Sequence, residues 1–174
     1  GRIYEDLWRK CGLRGRGVGF PRKTRASVHR KIGMTPKIRA EKSANAMWST
    51  DGASQWMGMS LVSVDEGKAE MTLTIEKHHC NGHGVCHGGI TFSLADSCFA
   101  FACNSRNQAT VTQSNMITYT APAKTGDTLT ATAHEVSLTG RSGIYDVRVA
   151  NQQGETIAEM RGLSRSVKGQ LFEE

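Results

Sequence analysis

The stretch Gly88-Gly89-Ile90-Thr91-Phe92-Ser93-Leu94-Ala95-Asp96-Ser97-Cys98-Phe99-Ala100-Phe101-Ala102-Cys103 decides how the rest of the chain reads. From Ile90 onward only Thr91, Ser93, Asp96 and Ser97 are polar, which predicts a helix buried nearly all round. Such a helix needs other elements to cover it. Upstream, Met59 to Val64, the turn Asp65-Glu66-Gly67, and the alternation of Ala69, Met71, Leu73 and Ile75 with Lys68, Glu70, Thr72 and Thr74 predict a hairpin with one buried face. Downstream, Ala109 to Tyr119, Thr128 to Leu138, Gly143 to Ala150 and Thr156 to Val167 alternate in the same way. Ala121-Pro122 with Gly126-Asp127, Gly140, and Asn151 to Gly154 separate them, so four more strands follow. Before the hairpin, Ala44, Met47, Trp48 and Trp56, interrupted by Asp51-Gly52, predict one or two short helices. Two strands, one helix and four strands make an α+β layout, an antiparallel sheet on one long buried helix.

The chain of 174 residues has room for one core, and its 38% hydrophobic and 22% charged residues are those of a globular protein. No apolar run approaches the roughly 18 residues of a membrane span. The net charge of +6 is unevenly placed. Residues 1–33 carry ten Lys and Arg against Glu5 and Asp6, while the rest has 12 basic and 14 acidic residues and a net charge of −2. The body therefore has no need of a polyanion partner. The Arg- and Gly-rich leader lacks the apolar region of a secretory signal and reads as a flexible or non-native extension ahead of Met34. A transit peptide or an RNA-binding arm is the other reading of it. Residues 34–174 are expected to form the single domain. Five cysteines, Cys11, Cys80, Cys86, Cys98 and Cys103, make an odd count without a disulfide-scaffold spacing, which predicts a reduced, cytoplasmic protein.

Asp96 breaks the apolar pattern. A carboxylate inside such a helix costs several kcal/mol unless it is paired or used, and no basic residue lies at i±3 or i±4. The bland alternative places it on one solvated stripe with Ser93 and Ser97, or against a distant arginine. Gly88 and Gly89 supply a second group, because the first turn of a helix exposes unpaired N–H groups that can hold a developing oxyanion. Along one helix the two groups stand roughly 11 to 12 Å apart, too far to act on one carbonyl. If both act on one substrate, Asp96 comes from a second subunit, and the minimum assembly is a homodimer with its sites at the interface.

Asn81-Gly82-His83-Gly84-Val85-Cys86-His87-Gly88-Gly89-Ile90-Thr91-Phe92-Ser93-Leu94-Ala95-Asp96, followed by Tyr119-Thr120-Ala121-Pro122-Ala123-Lys124-Thr125-Gly126-Asp127-Thr128-Leu129, resembles the hotdog-fold acyl-CoA thioesterases, and most closely their phenylacetic-acid-degradation (PaaI-like) subgroup. The resemblance covers about residues 40 to 168 and leaves out the leader. It implies a sheet wrapped around the helix, a dimer of dimers, and hydrolysis of acyl-CoA to free acid and CoA without metal or cofactor. The acyl group implied is aromatic, of the phenylacetyl type, with medium chains open. By motif position Asp96 is the nucleophile or general base, the Gly88 N–H polarises the carbonyl and Asn81 supports the same group. His87 orients the loop or the leaving thiolate. A Ser or Thr of the following strand orients water in some relatives; Thr112 and Ser114 are taken to share one strand face, with Thr112 preferred. Gly89, Ser114, Lys124 and Arg141 are the substrate-binding candidates, although Lys124, Arg141, Arg161 and Arg165 are scattered and each reads first as a solvated surface charge.

Zinc is the main competing chemistry, since His78, His79, Cys80, His83, Cys86 and His87 crowd together; against it, there is no second Cys-x2-Cys half-site. A hydratase or dehydratase on the same fold needs a His near the carboxylate; the next after Asp96 is His134, and His83 or His87 of a partner chain could substitute for it. The non-enzymatic alternatives are an acyl-CoA-binding or nucleic-acid-associated module using the leader.

Overall fold

The computed structural model describes residues 33–174, so all of the basic leader but Gly33, with Cys11, lies outside the described residues. Two short helices, α1 (Pro36–Trp48) and α2 (Gly52–Trp56), precede the strands β1 (Ser60–Asp65) and β2 (Lys68–Thr74). A 3-10 turn at Lys77–His79 leads to α3 (Gly88–Cys103), followed by β3 (Thr110–Tyr119), β4 (Thr128–Thr139), β5 (Ser142–Ala150) and β6 (Thr156–Ser166). The long helix and all six strands stand where the patterning puts them. α1 starts earlier than its apolar residues suggest, because Thr35 caps Ile38 N–H at 3.2 Å and Pro36 opens the first turn.

The strands form one antiparallel sheet in the order β1-β2-β4-β5-β6-β3. β3 follows the helix in sequence yet pairs with the last strand, so it is an edge. Its burial is correspondingly low, with Met116 at 70% and Val111 at 49% exposure. The inner face presents Met71, Leu73, Leu129, Ala131, Ala133, Tyr145, Val147 and Met160 to Leu94, Ala95, Cys98, Phe99, Phe101 and Ala102 of α3. Alanines on both surfaces let the helix lie close, and the Phe99 and Tyr145 rings meet edge to face at 5.4 Å. Burial pushes the thiols of Cys98 and Cys103 up to about 12, which leaves them as small core residues.

Burial of α3 is not all round. Ser93, Asp96, Ser97 and Ala100 form a half-buried stripe, because the sheet of one chain wraps the helix from one side only. Below the helix C-terminus Arg106 joins Glu135 and Glu66, Tyr145 donates to Glu135 at 2.8 Å, and Gly67 N–H donates to Ser105 Oγ at 2.8 Å. The β1–β2 turn is thereby tied to the helix end. Among the described residues no helix is long and apolar enough to cross a membrane.

Gly143 marks the tightest packing. A Cβ there would lie 2.6 Å from Ser164 Oγ and 2.8 Å from the Tyr145 ring. Gly143→Ala is expected to destabilise the fold by about 1–3 kcal/mol, read as a lower denaturant midpoint at unchanged slope. An unchanged midpoint would show that the Ser164 and Tyr145 side chains yield freely.

Candidate active site

The segment before α3 is a small β-like loop. Asn81 N–H donates to Val85 O at 2.8 Å, His87 N–H to His79 O at 2.9 Å, and Cys86 N–H to Ala123 O at 2.8 Å. These bonds pin the loop to the crossing segment near Lys124, with which Val85 forms a bridge. They deliver His87 to the N-cap of α3, where its Nδ1 accepts from Gly89 N–H at 2.9 Å. The His87 carbonyl takes the N–H of Ile90 at 2.9 Å. Among the described residues the Gly88 N–H alone in this turn has no acceptor, so the helix start offers one unpaired donor.

Tyr119, at the end of β3, closes over this donor's residue. Its hydroxyl donates to Gly88 O at 2.9 Å, and a Cβ on Gly88 would stand 3.2 Å from its ring. A cavity of about 370 Å³ opens beside them, lined by Cys86, Gly88, Thr91, Tyr119, Pro122 and Ile157.

Asp96 lies two turns further along α3. Its Oδ1 accepts from Asn115 Nδ2 at 2.6 Å and, at the long distance of 3.4 Å, from the Thr112 hydroxyl. Its Oδ2 has no protein donor among the described residues. Among the described residues no arginine pairs with it; the carboxylate is held there by neutral groups and stays half-buried on its stripe.

A bulge in β3 explains who reaches it. Thr112 pairs with Ser164 and Ser114 with Leu163, which leaves Gln113 as the extra residue. Ser164 is buried and Leu163 exposed, so Thr112 faces the helix and Ser114 faces outward. The expectation that Thr112 and Ser114 share a face is therefore corrected. The bulge reverses the alternation between them and brings Asn115, which the sequence reading missed, to the inner face. A Pro or Gly would have flagged such an irregularity, and Thr112-Gln113-Ser114 holds neither.

The other candidates fall in different places. Asn81 uses its carboxamide oxygen to take the His83 N–H at 2.9 Å, closing the loop. Gly89 has already spent its N–H on His87. Lys124 sits beside the helix start with its own N–H bonded to Asp127 at 2.7 Å. Arg141 donates to Ser166 O at 2.9 and 2.8 Å, and Ser166 pairs with Thr110, at the opposite end of β3 from Tyr119. Those nine steps of strand are about 30 Å, so within one chain Arg141 and Gly88 serve no common ligand. Arg161 is paired with Asp146 at 2.7 Å, and its guanidinium holds that carboxyl below the usual range.

The His and Cys side chains of the loop diverge. His79 Nδ1 accepts from Glu76 N–H at 3.0 Å and burial lowers its pKa, Cys80 lies 3.2 Å from the Thr125 hydroxyl, and Cys86 lies 3.6 Å from that of Thr91. Among the described residues no three His, Cys, Asp or Glu side chains converge on a metal position. His134 is on the outer face of the sheet, opposite Asp146.

The pattern of the Thioesterase superfamily matches residues 83–158, which holds the helix start, Asp96 and the bulge. The chain is 41% identical over 133 residues to acyl-coenzyme A thioesterase PaaI of Escherichia coli (strain K12), covering 76% of this chain and 95% of that one. It is 34% identical to acyl-coenzyme A thioesterase 13 of Homo sapiens over 106 residues, 59% of this chain and 76% of that one. The solved structure of the E. coli PaaI protein from the phenylacetic acid degradation operon superposes with a TM-score of 0.77 at 40% identity, over 78% of this chain and 99% of that chain. Fold, motif and near-complete coverage agree: the chain belongs to the hotdog-fold thioesterase superfamily and is a thioester hydrolase.

Proposed function

We propose that the protein hydrolyses acyl-CoA thioesters to the free acid and CoA, at two equivalent sites built across a homodimer that pairs again into a dimer of dimers. The observation that carries this reading is the pair of unspent groups on α3, the Gly88 N–H and Asp96 Oδ2, roughly 12 Å apart along one helix. The half-buried stripe of α3 and the exposed edge of β3 are adjacent, and a second copy seated there covers both. Its Asp96 then approaches the Gly88 of the first chain. The Gly88 N–H polarises the thioester carbonyl, and Asp96 Oδ2 attacks the carbonyl carbon directly or takes the proton of a water that does. The C–S bond breaks and the CoA thiolate takes up a proton; on the direct route water then hydrolyses the mixed anhydride, releasing the acid and restoring Asp96.

Thr112 supports the second route, since its long contact with Asp96 leaves the hydroxyl able to hold a water. His87 acts by capping Gly89 and so leaving Gly88 as the donor. Within one chain a hydratase lacks its histidine, because His134 faces away from the helix, and His87, the histidine a partner would bring, uses its Nδ1 to cap Gly89. The slightly acidic body argues against a nucleic-acid partner, and the reaction fits a reducing, cytoplasmic setting without metal or cofactor. The catalytic unit is the domain 34–174.

A panel of acyl-CoAs assayed for thiol release tests this, on the full chain and on residues 34–174. Phenylacetyl, hydroxylated aromatic and medium-chain thioesters are expected to exceed acetyl-CoA in kcat/KM by more than about tenfold, from the extra apolar surface they bury. Equal rates are expected with and without the leader. Absence of thiol release from every member would overturn the assignment.

A further inference from the structure

Asn115 makes the shortest contact of the carboxylate, and nothing in the fold requires an amide there. Only its NH2 end can face an ionised oxygen, so the 2.6 Å bond fixes the amide's orientation. Its Oδ1 is then turned away from solvent and finds no partner, among the described residues, in the slot between Phe99 and Gly162. A buried carbonyl left unpaired is a cost that an apolar side chain of similar size would avoid. Two further features of the backbone serve the same contact. The bulge at Gln113 turns Asn115 inward, and Gly162 opposite it has no side chain, where a Cβ would lie 2.9 Å from Asn115 Oδ1 and 3.0 Å from the Phe99 ring.

We infer that Asn115 is a positioning residue for the hydrolysis, holding Oδ1 of Asp96 so that Oδ2 alone is presented to the substrate. The inference rests on the reading of Asp96 as the reacting carboxylate. With one oxygen bound, the carboxylate is held toward β3, and the free oxygen lies on the half-buried stripe where a second chain brings its carbonyl-binding helix start. Thr112, at 3.4 Å, is too distant to do this by itself. Its hydroxyl is left to hold water.

Three variants test the inference: Asn115→Ala, Asn115→Asp and, as reference, Asp96→Asn, each measured for kcat, KM and melting temperature. Asn115→Ala is expected to lose about 10- to 10²-fold in kcat, the worth of a hydrogen bond to a charged group, with KM within about threefold of wild type. Asn115→Asp keeps the shape and reverses the bond, setting two carboxylates against each other. Its kcat is expected to fall below that of Asn115→Ala at neutral pH and to recover as the pH is lowered, when the pair takes up one proton and a carboxyl donates again. Cys103, whose thiol the Asp96 charge also raises, stays neutral through that range because burial pushes it up to about 12. A filler role would produce no recovery with acid.

Near-wild-type kcat in folded Asn115→Ala and Asn115→Asp, with Asp96→Asn inactive, overturns this inference and leaves the reading of Asp96 standing. Active Asp96→Asn overturns both. If neither position-115 variant folds, Asn115 is a structural residue and the inference fails.

Discussion

Asp96→Asn is expected to fold as the parent does and to lose at least about 10²-fold in kcat, the lower range for a positioned base and less than the loss expected of a nucleophile. The substitution is nearly isosteric. An amide oxygen at the same place can still accept from Asn115, so the contact that ties α3 to β3 survives. What disappears is the unpaired carboxylate oxygen, and with it the only anionic acceptor on the half-buried stripe of the helix. The half-buried position of Asp96 makes the fold tolerant as well, because no arginine is left uncompensated when the charge goes. Thiol-release kinetics beside a thermal melt check the prediction. Turnover near the parent's in a folded variant would remove Asp96 from the chemistry.

Gly88→Pro deletes the other unspent group while keeping the helix. Proline suits the first helical position, and His87 before it has φ −63° and ψ 132°, the extended conformation a residue before proline adopts. Tyr119 gives way by a few tenths of an ångström for the new Cβ, which an exposed ring at a strand end can do. Loss of the single N–H donor is expected to cost about 10² to 10³ in kcat, the effect of removing one oxyanion-hole hydrogen bond. The two variants together test the shared site. Mixed under subunit exchange, Gly88→Pro and Asp96→Asn chains form hybrid dimers with one doubly defective site and one intact site. Activity is expected to return toward about a quarter of the parent's at random pairing, since half the dimers are hybrids with one good site each. Exchange verified by mass without recovery would place the two groups in one chain's site, or take one of them out of the reaction.

The expected outcomes rest on features of different legibility. The hairpin, the long helix and the last four strands are local patterns of alternation and apolar run length, and the structure has all of them. The helix start is legible in part: Gly88-Gly89 announce exposed donors, while only the structure shows His87 as the cap that takes Gly89 N–H and leaves Gly88 N–H alone. Alternation counting failed at Thr112-Gln113-Ser114. A bulge without glycine leaves no local mark, and one inserted residue moves everything beyond it to the other face. Asn115 was invisible for that reason, and Ser114 was put on the wrong side. The separation of Arg141 from Gly88 within one chain is illegible for a different reason: it follows from the pairing of β6 with β3, which no segment of the chain contains.

The sequence by itself determined the elements, the presence of helix-start donors at Gly88-Gly89 and the separation of Gly88 from Asp96, because helical rise and amphipathic period act over a few residues. The tertiary structure alone decided which side chains hold the carboxylate, that β3 becomes an edge strand, and how far Arg141 stands from Gly88 within one chain. Strand order and bulge position are settled by packing between residues distant in the chain, and that packing is what turns Asn115 toward Asp96.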